Sequence, residues 1–215
     1  MVRVDDATAH DAHTTLVDDL HVLAQRSVRP IIVAPDAPSA RAIVRTINRS
    51  TNVAIALSGS DAALLPRGPG GLGAVQTRIL DTLTSAGFIP VVEPTAFGAF
   101  DSADTQVIAD DVAAAIATAC HASRAIFFHQ AGGVADPETE TLLAELTPAE
   151  ALALADDVRI PDDLRAAIRA AALGVRGGLP AAQIVDGRVA HAVIVEILTQ
   201  QHLGTRVTGG LLLAS

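Results

Sequence analysis

Four short apolar runs constrain this chain more than anything else in its sequence. They are Pro30-Ile31-Ile32-Val33, Val53-Ala54-Ile55-Ala56-Leu57, Phe88-Ile89-Pro90-Val91-Val92 and Ala125-Ile126-Phe127-Phe128. A run that does not alternate with polar residues belongs to a strand covered on both faces, the usual state in a parallel sheet. Met1-Val2-Arg3-Val4 is predicted as a first strand, ended by Asp5-Asp6. Between the runs the spacing turns helical. Leu16, Leu20 and Leu23 share one face of a helix over 9–26, and residues 38–49 and a stretch to about Ala86 follow. The alanine-rich 105–121 and two stretches around 138–156 and 161–176 complete the set. Strands alternating with helices imply parallel β-α-β units stacked as helix, sheet, helix. The expected fold is therefore an α/β, three-layer αβα sandwich with a central, mostly parallel sheet. We expect one domain over 1–215, with a seam near Gly98 between halves of about 1–98 and 99–215.

Charge and cysteine content narrow the function classes. The formal charge of −9 argues against a nucleic-acid-binding surface. Cys120 is the single cysteine, so no internal disulfide can form and a cytoplasmic setting is expected. The first residues carry Asp5, Asp6 and Asp11 rather than the basic start of a signal peptide. No eighteen-residue window is free of charges or turn residues, so no membrane span is expected. All 15 basic side chains are arginine. Chemistry that needs a lysine ammonium is closed to this chain.

The most telling stretch lies late in the sequence. Gln183-Ile184-Val185-Asp186-Gly187-Arg188 is followed by His191, Glu196-Ile197-Leu198-Thr199 and Gly204-Thr205-Arg206-Val207. Physically this is a short strand, a tight Asp-Gly turn, an amphipathic helix and a second strand. The stretch resembles the signature "IIDGR..HA...E..T...GT" of N-acetylglutamate kinases, in the amino-acid-kinase family with its carbamate-kinase-like fold. Val53 to Asp61 with Leu64 resembles the family's "AVGLSGxDG.L", and Gly87 to Val91 its "GFIPV". Ile108 to Asp111 sits where members read "NxNAD". Gly132-Gly133-Val134, Ala135 and Asp136 resemble the loop after the nucleotide-side strand. The likeness covers roughly residues 30–208. The substrate-covering hairpin and "GxR" clamp of the family are missing between Pro38 and Asn48.

Phosphoryl transfer to a carboxylate brings anionic groups together, so catalysis rests on cations and backbone N–H donors. Glycine pairs let the backbone approach the phosphates. The resemblance implies such a cradle at three places, with ATP and Mg bound there if the chain is active. This chain has Arg3-Val4-Asp5-Asp6 for Lys-x-Gly-Gly and Ala34-Pro35-Asp36-Ala37-Pro38 for His-Gly-Gly-Gly-Pro. It has Asp162-Asp163-Leu164-Arg165-Ala166-Ala167 for Gly-Gly-Met-x-Pro-Lys. Losing one oxyanion donor costs about 3–4 kcal/mol of transition-state stabilisation, and opposed like charges add about 1–4 kcal/mol each. The expected protein is a degenerate, acetylglutamate-kinase-like homologue that binds a small ligand or forms oligomers. The partner is a dimer or hexamer of itself or a true kinase. The alternative is a divergent acetylglutamate-type kinase of arginine biosynthesis, with Arg3 and Asp110 as catalytic groups, Arg165 as a phosphate contact, and Gly132, Gly133 and Asp136 holding the nucleotide.

Other constellations have two readings. Asp5, Asp6, Asp110, Asp162 and Asp163 are expected to border one cleft at the carboxyl edge of the sheet. They form a cation or cationic-ligand site, or else are solvated helix starts. His10 and His13 lie one helical turn apart, a metal half-site or exposed helix residues; no metal ligand set is assigned. Gly68-x-Gly70-x-x-Gly73 fits a dinucleotide fingerprint or a plain loop. Cys120 reads as a small core residue. In arginine-inhibited relatives the effector binds beside the late helix, which the resemblance carries to His191, Glu196 and Gly204, with His202 in place of a glycine. A preceding N-terminal helix builds the hexamer in those relatives.

Overall fold

Every strand of the central sheet is short, and burial rather than length holds it. The computed structural model describes residues 1–11, 15–69, 71–98, 104–199 and 201–209, and the side chains of residues 7, 10 and 11 lie outside that description. The expected His10–His13 pair therefore falls outside the described residues.

In the first half of the chain, β1 (Val2–Arg3) leads to α1 (Asp6–Asp11) and α2 (Thr15–Gln25), then β2 (Ile32–Val33), α3 (Ala37–Ser50) and β3 (Ala54–Leu57). Two short strands, β4 (Arg67–Gly68) and β5 (Gly71–Leu72), precede α4 (Arg78–Ser85), β6 (Ile89–Val92) and β7 (Thr95–Ala96). Next come β8 (Thr105–Gln106), α5 (Ala109–Ala119), β9 (Ala125–Phe128), β10 (Glu145–Leu146), α6 (Pro148–Ala155) and α7 (Asp162–Arg176). The chain closes with β11 (Ala181–Val185), α8 (Ala192–Leu198) and β12 (Thr205–Thr208).

Eight strands form one sheet in the order β10-β12-β11-β9-β1-β2-β6-β3. Its pairs are parallel except β11–β12. The αβα sandwich expected from the apolar runs is the fold observed. Strands from before residue 98 lie on one side of the sheet and those from after it on the other, meeting at β1 and β9.

The apolar runs work as proposed. Ala125 and Phe127 of β9 face a core with Val112 and Ile116 of α5 and Ile168 of α7. Ile126 and Phe128 face the opposite core, with Leu20 of α2, Ile43 of α3 and Val193 of α8. Each fully buried side chain of this size contributes about 1.5–3 kcal/mol. No helix among the described residues is long and apolar enough to cross a membrane.

Several boundaries differ from the sequence expectation. Of the helix expected over 9–26, the described residues are helical in α1 and in α2, and residues 12–14 between them lie outside the description. The helix expected over 138–156 begins only at Pro148, where Thr147 and Glu150 make a reciprocal capping box that sets a helix start. Thr105 and Gln106, expected to be helical, pair with β7 as a strand. In the Gly68–Gly73 stretch, whose Gly70 lies outside the described residues, β4 and β5 pair antiparallel with Gly68 opposite Gly71. The stretch is not a strand-to-helix turn, because α4 starts only at Arg78. From Ala37 to Ser50, α3 runs unbroken, started by Asp36 accepting the Ser39 N–H at 2.7 Å, so one helix fills the span where the family's hairpin is missing.

Candidate functional site

The carboxyl ends of β1, β9 and β11 and the starts of α5 and α7 meet at one edge of the sheet, the place where open α/β folds put ligands. Here the guanidinium of Arg3 forks onto Asp110. Nε lies 2.9 Å from Oδ1, and Nη2 donates to Oδ2 at 3.3 Å. Nη1 donates to the Phe128 carbonyl at 3.3 Å. Asp110 is 5 % exposed. Burial pushes its carboxyl above the ordinary value, and Arg3 opposes that push.

His129 extends the pair into a chain of charges. Its Nδ1 accepts the Ala131 N–H at 3.1 Å, which leaves the ring proton of the neutral form on Nε2. That atom lies 3.2 Å from Asp163 Oδ2. Burial alone would raise the Asp163 carboxyl, but the Leu164 N–H and His129 together hold it below the ordinary value. His129 also draws down Asp110, so Arg3, Asp110, His129 and Asp163 form one electrostatic unit.

The expected aspartate-lined cleft is not what these residues make. Asp5 is buried and accepts the Thr8 N–H at 2.8 Å as the cap of α1. Asp6 is exposed in the first turn of that helix. Asp162 pairs with Arg165, one turn along α7. Asp110 and Asp163 both interact with His129. Among the described residues no group of three or more His, Cys, Asp or Glu is placed to hold a metal ion. Asp is favoured at helix starts by capping and by the dipole, and all five stand at one: Asp5 and Asp6 at α1, Asp110 at α5, Asp162 and Asp163 at α7.

The nucleotide-side residues also have structural work. Asp136 accepts the Glu138 and Thr139 N–H groups at 2.8 and 3.0 Å, which holds its carboxyl low. Gly133 has a φ of +148°, and a Cβ there would stand 2.6 Å from Leu142 Cδ1 and 3.0 Å from Thr205 Oγ1. Gly132 (φ +72°) closes a turn through its N–H to the His129 carbonyl. ATP with Mg, the group the resemblance implies, does not fit these residues. The cation on β1 is already neutralised, and the start of α7 carries aspartates where bare backbone N–H groups would have to meet phosphate.

Beside α8, the three expected effector residues are likewise engaged within the chain. Glu196 is fully buried and accepts the Leu203 N–H at 2.6 Å, with His202 Nδ1 at 3.2 Å. His191 Nδ1 meets Asp19 Oδ1 at 2.7 Å. A Cβ on Gly204 would stand 2.1 Å from the Ile184 carbonyl oxygen. The apolar face of α2 is spent on its own subunit, with Leu16, Leu20 and Leu23 all in the core. That face is not available to interlock with a second subunit.

His129 and Asp19 were missed in the sequence. His129 had a signal: it directly follows the run ending at Phe128, which places it at a strand's carboxyl end. Asp19 had none, because its partners lie far along the chain.

Comparison with known proteins agrees with this architecture. The amino acid kinase family profile matches residues 51–186. An acetylglutamate kinase of Acidiphilium cryptum is 33 % identical over 215 residues, covering 90 % of this chain and 71 % of its own length. One from Rhizorhabdus wittichii is 38 % identical over 136 residues, covering 63 % of this chain and 44 % of its own. The chain thus spans less than half of one of these kinases and about seven-tenths of the other. The N-acetylglutamate synthase of Neisseria gonorrhoeae, solved with coenzyme A and N-acetyl-glutamate, superposes with a TM-score of 0.79 at 17 % identity. That likeness covers 96 % of this chain and 58 % of the synthase, and it speaks for the fold alone. With the profile covering more than half the chain and a relative at this level of identity along most of it, the protein belongs to the amino acid kinase family and resembles its acetylglutamate kinases.

Proposed function

We propose that this protein is a non-catalytic, acetylglutamate-kinase-like homologue that acts by assembling with itself or with an active kinase, or by binding a small ligand, and not by transferring phosphate. One observation carries the reading. Arg3, the only cation on β1, is clamped by the buried Asp110 at the edge where a kinase would present free positive charge to phosphate. The pairing of Asp163 with His129 supports it from the α7 side. A divergent kinase using Arg3 and Arg165 would have to break two ion pairs first, since Arg165 is held by Asp162. An arginine effector beside α8 would have to displace His202 and the Leu203 N–H from Glu196.

Thermal melts with ATP and magnesium test the reading, because a ligand that binds the folded state raises Tm. No rise is expected, and no turnover in a coupled assay with ATP, magnesium and N-acetylglutamate. Turnover abolished by Arg3→Ala would overturn the proposal in favour of the kinase.

A further inference from the structure

Unpaired positive and negative charge lie at opposite ends of this molecule. Arg41, Arg45 and Arg49 recur at every fourth residue of α3, so they form one row along the helix with about 6 Å of rise between neighbours. All three are exposed, while Ala40, Ile43 and Ile47 of the same helix face the core. No acid occurs from residue 37 to residue 60, so nothing on the helix itself offsets the row, and like charges at this spacing repel. Glu93 approaches Arg41 at 3.7 Å. Among the described residues no carboxylate pairs with Arg45 or Arg49.

The opposite sign collects in the 136–157 segment, which carries seven acidic residues and no basic one. Glu138, Glu140, Glu145 and Glu150 are exposed there. Arg159 lies 3.8 Å from Glu138, and Arg206 stands opposite Glu145 on the neighbouring strand. Among the described residues no ion pair holds Glu140 or Glu145. The arginine helix packs on β3 and β6, at one edge of the eight-stranded sheet, and β10 with Glu145 forms the other edge. Seven strand spacings of about 4.8 Å part the two edges, several times the screening length of about 8–10 Å at ordinary ionic strength. Within one copy the two charges do not meet. Between copies they can.

We propose that the arginine row of α3 docks on the acidic 136–157 segment of a second copy, head to tail. Each guanidinium offers a fork of donors that suits a carboxylate. Head-to-head pairing through α3 is disfavoured, because an isologous contact sets two arginine rows against each other. Since each copy presents a different surface at each end, the contact grows into rings or open chains. A nucleic acid suits the row less well, because three cations stand on a chain with a formal charge of −9. The inference rests on the self-assembly reading above and gives it a surface; it does not depend on the Arg3–Asp110 edge.

Light scattering of the full chain tests it. In about 0.01 M salt the weight-average mass should rise about two-fold or more with protein concentration, and it should fall back in about 1 M salt, where screening shortens to about 3 Å. Arg45→Glu/Arg49→Glu should abolish the rise, and so should Glu140→Arg/Glu145→Arg, because each variant sets like charges against each other across the contact. Mixing the two variants should restore it, since the reversed row of one then meets the reversed segment of the other. Restoration would also show that both variants are folded. A mixture that fails to associate overturns the proposal. An assembly indifferent to both reversals overturns it too, while leaving self-assembly to another surface. A parent chain that stays monomeric overturns this contact and the self-assembly reading together, and poly-glutamate or duplex DNA bound through Arg45 and Arg49 of that monomer would assign the row to a foreign partner instead.

Discussion

Asp19 on α2 and His191 at the head of α8 are joined by a 2.7 Å contact, and the other oxygen of the same carboxylate accepts the Ile194 N–H at 3.3 Å. One side chain, 1 % exposed, thus caps a helix and fastens two layers together. His191 adopts a φ of +60° to make the contact. Asp19→Ala should cost about 1–3 kcal/mol, since it strips a half-buried N–H of its acceptor. Asp19→Asn keeps one acceptor and should cost less. Urea unfolding of the three chains checks this, and equal losses for both substitutions would mean that the hydrogen bonds do not carry the effect.

The Arg3–Asp110 pair predicts a strong coupling. Arg3→Ala leaves a buried carboxylate without its partner, a change worth about 3–5 kcal/mol. The Arg3→Ala/Asp110→Ala double variant should lose less than the two single losses added together, measured as a double-mutant cycle. The pH dependence has a definite sign. Burial raises Asp110 above its ordinary 3.8, so the folded state binds that proton more tightly than the unfolded chain does. The deficit of Arg3→Ala should therefore be smallest below the ordinary value and grow as pH rises through the raised one. A deficit independent of pH would show that Asp110 is not the group left stranded.

Acid unfolding should report Asp157. The side chain of Arg159 bonds its carboxylate at 2.6 and 3.0 Å, its backbone N–H adds a 2.9 Å bond, and together they lower the carboxyl from 3.8 to about 2. A lowered folded-state value gives stability that is present above the ordinary value and lost as pH falls through the folded one. Melting temperatures of the parent chain should thus fall between those two values. The Asp157→Asn chain should fall less steeply over that window, and parallel curves would remove Asp157 from the account.

Gly204→Ala tests how tightly the C-terminal strands are packed. The new methyl would meet two backbone oxygens, at 2.1 Å from Ile184 and 2.6 Å from Gly132, neither of which can rotate away. Overpacking of this kind costs about 1–3 kcal/mol or more. The β11–β12 ladder should show faster amide exchange than in the parent chain. Unchanged exchange would mean that the loop before β12 can yield.

The sheet was legible in the sequence because burial on both faces leaves an unbroken apolar run, and all four such runs contain sheet strands. Helix ends were less legible. The start of α6 is fixed by the Thr147–Glu150 box and Pro148, a local signal that the broader apolar spacing over 138–156 hid. Thr105 and Gln106 read as helix by continuity with the alanines, yet they pair across space with Thr95 and Ala96, and no local pattern reveals a tertiary pairing. The candidate edge was half legible. The replacement of Lys and Gly by Arg and Asp stood out against the family pattern, whereas the partner each charge would take depended on folding. Asp110 met Arg3, but Asp5 turned to cap its own helix.

Position in the sheet gives the first residues of the chain an unusual weight. Val2 and Arg3 pair with Ile32 and Val33 on one side and with Ile126 and Phe127 on the other, so within the eight-stranded sheet these two residues join the strands from before residue 98 to those from after it. Trimming residues 1–4 would not shorten a fringe. It would take out the middle strand of the sheet, leaving β2 and β9 with unpaired edges facing each other while the helices and the shared core still tie the two sides together.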